Sequence, residues 1–161
     1  MNDRARKVIA LAIAMLLCYG AAAVGGLLGA GADGGWYADL AKPSWTPPSW
    51  VFGPVWTVLY GMMGVAVWLV WLRRRRRPGA AAPMTAFAAQ LAFNAAWSPL
   101  FFGLHRPGMA FADIVLLWLA LVATVWLFLR RRPIAGLLLA PYLLWISFAV
   151  ALNFAIWRLN T

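Results

Sequence analysis

Three sets of residues recur in this chain at helical spacing. Gln90, Asn94, Trp97 and Phe101 stand at i, i+4, i+7 and i+11, so two carboxamides and two rings share one helix face. Tyr142, Trp145, Ala149 and Asn153 repeat the pattern, and Phe52, Trp56, Tyr60 and Met63 form a third face. Large aromatics at this spacing usually fill a core, but the small Ala149 between Trp145 and Asn153 leaves room. Such faces suit the binding of an apolar molecule with a few polar handles. Acid–base chemistry has little to work with, since the chain has one histidine, His105, and no glutamate. Its single cysteine, Cys18, excludes an intrachain disulfide and a Cys-based metal cluster, and no metal site is expected. Asp113 lacks a second carboxylate for a proton path, so a hydrogen bond to a neighbouring helix is the plainer reading. For Gln90 and Asn94 the plain reading is interhelical bonding, worth of order 1 kcal/mol each.

The segments that must carry these faces are apolar throughout. Hydrophobic residues make up 65% of the 161, and charged residues 11%; the mean hydropathy is +0.78. This composition is that of an integral membrane protein. Five apolar segments follow one another: 8–28, 52–72, 85–104, 109–129 and 134–156. At 1.5 Å per residue each covers roughly 30 Å, the thickness of a bilayer core. The expected fold is therefore a single all-α domain, residues 1–161, built as a bundle of five transmembrane helices. Continuous apolar runs exclude an outer-membrane β-barrel, whose strands alternate. The first segment is too long for a signal-peptide core and reads as a retained span, with cleavage near Ala21–Ala23 as the alternative.

The formal charge of +10 does not indicate nucleic acid, because the cations cluster at the ends of the apolar runs. Arg4, Arg6, Lys7, the run 73–77 and the run 130–132 fall on one side of the five-span plan, eleven cations in all. Lys42, Arg106 and Arg158 fall on the other. This bias predicts a multi-pass protein of a bacterial cell membrane with its N-terminus in the cytoplasm. Small residues spaced by four (Ala21, Gly25, Gly29; Ala88, Ala92, Ala96) fit close packing within the chain or a homodimer through the third span. No internal repeat supports a transporter built from inverted repeats.

Between the first two spans the chain reads WYADLAKPSWTPPSW, and the second span opens VFGPVWTVLY. Prolines stiffen this stretch and indoles load it, so residues 30–51 are expected to form a lid over a cavity between helices. Phe52, Trp56 and Tyr60 belong to the wall beneath.

Together with AAQLAFNAAWSPLFFG (88–103) and PYLLWISFAVALNFAIWRLN (141–160), this stretch resembles the TspO/MBR family of tryptophan-rich sensory proteins and translocator proteins, also called peripheral-type benzodiazepine receptors. The resemblance covers nearly the whole chain. It implies a protein that binds tetrapyrroles such as protoporphyrin IX or haem as ligands, requires no other cofactor, and works in sensing or regulation. The implied pocket residues are Trp36, Pro47, Phe52, Trp56, Asn94, Trp97, Trp145 and Ala149. Some relatives tie two pocket tryptophans to light-dependent porphyrin breakdown, and Trp56 and Trp145 match them, so a porphyrin-degrading enzyme is the alternative. A porphyrin, lipid or sterol transporter is the second alternative. The sterol motif of animal members departs here at Ala151 and Phe154, which leaves Phe154 and Arg158 as lipid-facing positions. Expected partners are tetrapyrroles, membrane lipids and a second copy of the chain, with no nucleic acid.

Overall fold

The computed structural model describes residues 2–29, 35–73 and 81–161. Among these there are helices and no strand. The chain forms α1 (Asp3–Gly29), a short α2 (Trp36–Asp39), a 3₁₀ turn at Ser49–Val51, α3 (Phe52–Trp71) and α4 (Ala81–Ser98). A π turn at Pro99–Gly103 follows, then α5 (Pro107–Arg131), α6 (Pro133–Leu138) and α7 (Ala140–Leu159). Residues 30–34 of the expected lid and residues 74–77 of the arginine run lie outside the described residues.

Proline sets most of these boundaries. Pro107 and Pro133 open α5 and α6, where a missing N–H costs nothing because the first helical donors have no partner anyway. Pro99 acts inside an apolar segment that the sequence reads as one helix. Having no N–H to offer the preceding turn, it ends the regular α4 ladder at Ser98, and the wider π turn carries the chain to Gly103. Pro141 does the same to the last segment, which divides after Leu138 where a continuous span was expected.

α1 packs on α3 and α4, α4 on α5, α5 on α7, and α6 on α3 and α5, which closes a ring of helices. One half of the bundle interior is solid. Met63, Ala66, Leu121, Phe128 and Leu139 are fully buried there, and Phe87 stacks on Phe128 with ring centres 5.9 Å apart. The outer surface is also apolar: Leu16, Leu27 and Leu144 are each more than 70% exposed. Greasy side chains facing both inward and outward require a hydrocarbon solvent. Four helical stretches are long and apolar enough to cross a membrane: Asp3–Leu27, Ser49–Trp71, Pro107–Arg131 and Pro133–Leu159. α4 does not reach that level of apolarity, because it carries Gln90 and Asn94, and both amides are buried inside the bundle.

Candidate functional site: a cavity in one half of the bundle

The other half of the bundle is hollow. A cavity of about 860 Å³ is bounded by α1, α3, α4, α5, α7 and the segment that follows Gly35. Phe52 and Trp56 reach it from the start of α3, Asn94 and Trp97 from the end of α4, and Trp145 and Ala149 from α7. The rings set one another at steep angles. Phe52 meets Trp145 edge to face at 5.7 Å, and Trp56 meets Tyr142 in the same manner at 6.1 Å. Ala149 lies one turn beyond Trp145 and keeps that wall open.

A chain of buried hydrogen bonds forms the floor. The Tyr60 hydroxyl donates to Asn94 Oδ1, Asn94 Nδ2 donates to the Tyr142 hydroxyl at 2.7 Å, and Tyr142 donates to Gln90 Oε1 at 3.1 Å. Gln90 Nε2 ends the chain on Met63 Sδ at 3.9 Å. These groups tie α3, α4 and α7 together at the level where the cavity stops and the solid core begins. A second chain stands at the opposite end: Trp97 Nε1 donates to Asn153 Oδ1 at 2.9 Å, and Asn153 Nδ2 donates to the Pro107 carbonyl at 2.9 Å. Both Asn side chains, expected from sequence to be polar handles for a ligand, are thus held by protein partners. Trp56 and Trp145 differ. Neither indole N–H has a hydrogen-bond partner among the described residues, and both line the cavity.

The segment 35–51 borders the cavity through Tyr37, Lys42, Thr46, Pro47 and others. Its anchor is Lys42, whose ammonium donates to the carbonyls of Tyr37, Ala38 and Leu40 at 2.5, 3.1 and 3.0 Å. The same ammonium lies 4.7 Å from the centre of the Tyr37 ring. One cation therefore closes the last turn of α2, where carbonyls are otherwise without donors. Burial pushes the Tyr37 phenol above its ordinary pKa and keeps it neutral.

Of the eight expected pocket residues, seven border the cavity: Pro47, Phe52, Trp56, Asn94, Trp97, Trp145 and Ala149. Trp36 does not. It stacks on His105 at 4.4 Å and meets Phe101 edge to face at 5.7 Å, which pins α2 to the turn between α4 and α5. His105 takes a left-handed backbone, φ 53°, in that turn. Phe154 and Arg158 lie on the outer surface, where Phe154 packs on Phe111 and Trp157. Sequence reasoning missed the first and fifth walls, Tyr19, Ala22 and Gly25 of α1 and Ile114 and Leu117 of α5. Gly25 carried a signal: a Cβ there would stand 3.3 Å from the Ala95 carbonyl, so glycine permits the close approach of α1 to α4.

Residues 14–158 match the TspO/MBR family. The chain belongs to that family. It is 41% identical to the tryptophan-rich protein TspO of Chlorobaculum tepidum over 96% of this chain and 98% of that one. It is 44% identical to the translocator protein of Homo sapiens, over 78% of this chain and 75% of that one. To the tryptophan-rich sensory protein of Cereibacter sphaeroides it is 43% identical, over 78% and 77%. The match runs through the cavity walls on α3, α4, α5 and α7, so this TspO-type membrane protein and its relatives share the segments from which the site is built.

Proposed function

We propose that the cavity is a tetrapyrrole site and that the protein senses or regulates through protoporphyrin IX or haem held inside the bundle. The observation that carries this reading is the pair Trp56 and Trp145. They are two broad apolar rings, one from α3 and one from α7, that line a space of about 860 Å³, and neither N–H has a hydrogen-bond partner among the described residues. A flat, mostly apolar ligand with acceptor groups at its edge satisfies both features at once, through ring contact and through two N–H donors. Phe52, Trp97, Pro47 and Ala149 supply the remaining apolar contact, and Asn94 and Asn153 fix the walls.

In this reading α4 is a fifth span. Its two amides are satisfied within the bundle and cost little there, so the lower apolarity of the helix does not prevent insertion. Residues 35–51 act as a lid on the side away from the arginine clusters, and the N-terminus lies in the cytoplasm of a bacterial cell.

The test is a titration of the purified protein with protoporphyrin IX, read by quenching of tryptophan fluorescence. Saturable quenching at one site per chain, weakened by Trp145→Phe and Ala149→Leu, is expected. Unchanged binding in both variants rules out this cavity.

A second reading, light-dependent porphyrin breakdown, draws on the setting of Trp56. Its ring lies 5.5 Å from that of Tyr60 and 6.1 Å from that of Tyr142. A Trp56 indole that gives an electron to the photoexcited porphyrin, which passes it on to dioxygen, has oxidisable phenols beside it to draw on. Illumination should then give a discrete product that Trp56→Phe with Trp145→Phe abolishes. Equal bleaching by that variant leaves binding as the function.

A further inference from the structure

A second concavity lies on the outside of the bundle between α1, α3 and α4, with a volume of about 730 Å³ and no lining residue in common with the cavity. Along α1 it runs from Arg6 to Ala21, about 22 Å at the helical rise. Its walls are almost wholly apolar, with Ile13 and Leu17 facing Val67 and Leu91 across a strip of alanines. Only one end is different. There Arg6 stands beside Trp68 and Trp71, the make-up of a membrane–water boundary.

The Arg6 guanidinium is half-buried and has no hydrogen-bond or ion-pair partner among the described residues. Its neighbour Lys7 is already paired, 2.6 Å from Asp3. The Trp68 indole N–H is also occupied, donating to the Lys7 carbonyl at 2.9 Å, and this bond holds the start of α1 against the end of α3. Arg6 is therefore fixed at the mouth of a greasy groove with its charge unmatched.

We propose that this groove binds one anionic phospholipid, with an acyl chain along the alanine strip and the phosphate on Arg6. Charge decides for a lipid over a second copy of the chain. Two copies in one membrane pair about an axis along the membrane normal, which brings the same end of each groove together. The end in question carries Arg4, Arg6 and Arg73, so a copy seated in the groove would set cations against cations, whereas a phosphate neutralises them. Groove length points the same way, because about 22 Å of continuous apolar wall leading from a cation matches a chain hanging from its head group.

The experiment is native mass spectrometry of the full chain released from detergent after equilibration with phosphatidylglycerol or phosphatidylcholine. Thermal unfolding of each lipid-free variant checks its fold. The wild-type chain should retain one phosphatidylglycerol and much less phosphatidylcholine. Arg6→Gln should lower phosphatidylglycerol retention about fivefold, the loss of one cation's attraction, and Arg6→Lys should restore most of it. Ala88→Phe, on an exposed alanine of the groove wall, should lower retention of both lipids equally. Equal retention of the two lipids by the wild type would mean non-selective annular lipid and overturn the proposal. A lipid-free pair of chains that Ala88→Phe separates would assign the groove to a second copy and overturn it as well.

Discussion

Asn160 holds both backbone groups of Ala41, a residue 119 positions earlier in the chain. Its Oδ1 accepts the Ala41 N–H at 3.0 Å, and its Nδ2 donates to the Ala41 carbonyl at 2.9 Å. The amide thus pairs with the segment over the cavity as a neighbouring strand would. Nδ2 also reaches the Ile156 carbonyl at 2.7 Å, so the same group finishes α7 and ties the segment 35–51 to it.

Removing that clamp should loosen the segment 35–51 before it harms the bundle. The two bonds are neutral and lie at an exposed position, so they contribute about 1–2 kcal/mol together. Asn160→Ala is expected to speed dissociation of protoporphyrin IX about 5- to 30-fold, the factor that such an energy represents. Stopped-flow recovery of tryptophan fluorescence reads the rate. A rate equal to wild type would mean that ligand leaves by another path.

Cavity volume and ring contact should be separable by mutation. Ala149→Leu places three extra carbons at the cavity wall and is expected to weaken protoporphyrin IX binding more than tenfold with little change in unfolding temperature. Trp145→Phe keeps a ring and loses the N–H and part of the stacking area. Its expected cost is about threefold to tenfold. A larger effect of Trp145→Phe than of Ala149→Leu would place the ligand's polar edge, not its breadth, at this wall.

The floor network makes a ranking possible. Tyr142→Phe strands Asn94 Nδ2 and Gln90 Oε1 together in the buried interior, whereas Gln90→Leu strands only the Tyr142 hydroxyl proton and leaves that hydroxyl still accepting from Asn94. An unsatisfied buried group costs about 1–3 kcal/mol, and hydrogen bonds between membrane helices average about 0.6 kcal/mol. Tyr142→Phe should therefore lower stability by about 1–3 kcal/mol, and Gln90→Leu, which strands one group rather than two, by less. Unfolding in graded denaturing detergent gives both values. Equal losses would mean that Gln90, not Tyr142, is the centre of the network.

These residues also show what the sequence could reveal. The faces of α3, α4 and α7 were legible because each sets large rings at helical spacing, α4 and α7 add amides, which only an inward face holds in a membrane helix, and α7 adds the small Ala149. α1 and α5 gave no such reading. The sides of α1 turned to lipid and to the cavity are both apolar, so periodicity cannot tell them apart. Trp36 stands apart from the cavity for a different reason: indole-rich sequence says that a segment packs but not on what, and its partner, His105, sits in a turn 69 residues further along the chain. The breaks at Ser98 and Leu138 follow from Pro99 and Pro141, whose hydrophobicity hides them inside apolar runs.

Asp113 offers the last test, and it concerns cost. The residue sits in the second turn of α5, 8% exposed, and its Oδ2 has no hydrogen-bond partner among the described residues. It lies six residues past Pro107, beyond the first turn, where the helix dipole no longer favours an acid. A carboxyl group left in this position is expensive inside a membrane and makes no compensating contact with the described side chains. Asp113→Asn preserves its size and shape while removing the capacity for charge. The unfolding temperature of the empty protein should then stay level or rise, by about 2–4 °C for each kcal/mol relieved. A fall would mean that the carboxyl group is held by a partner beyond the described residues, and lipid-dependent unfolding of the wild type and of Asp113→Asn would show whether that partner is a lipid.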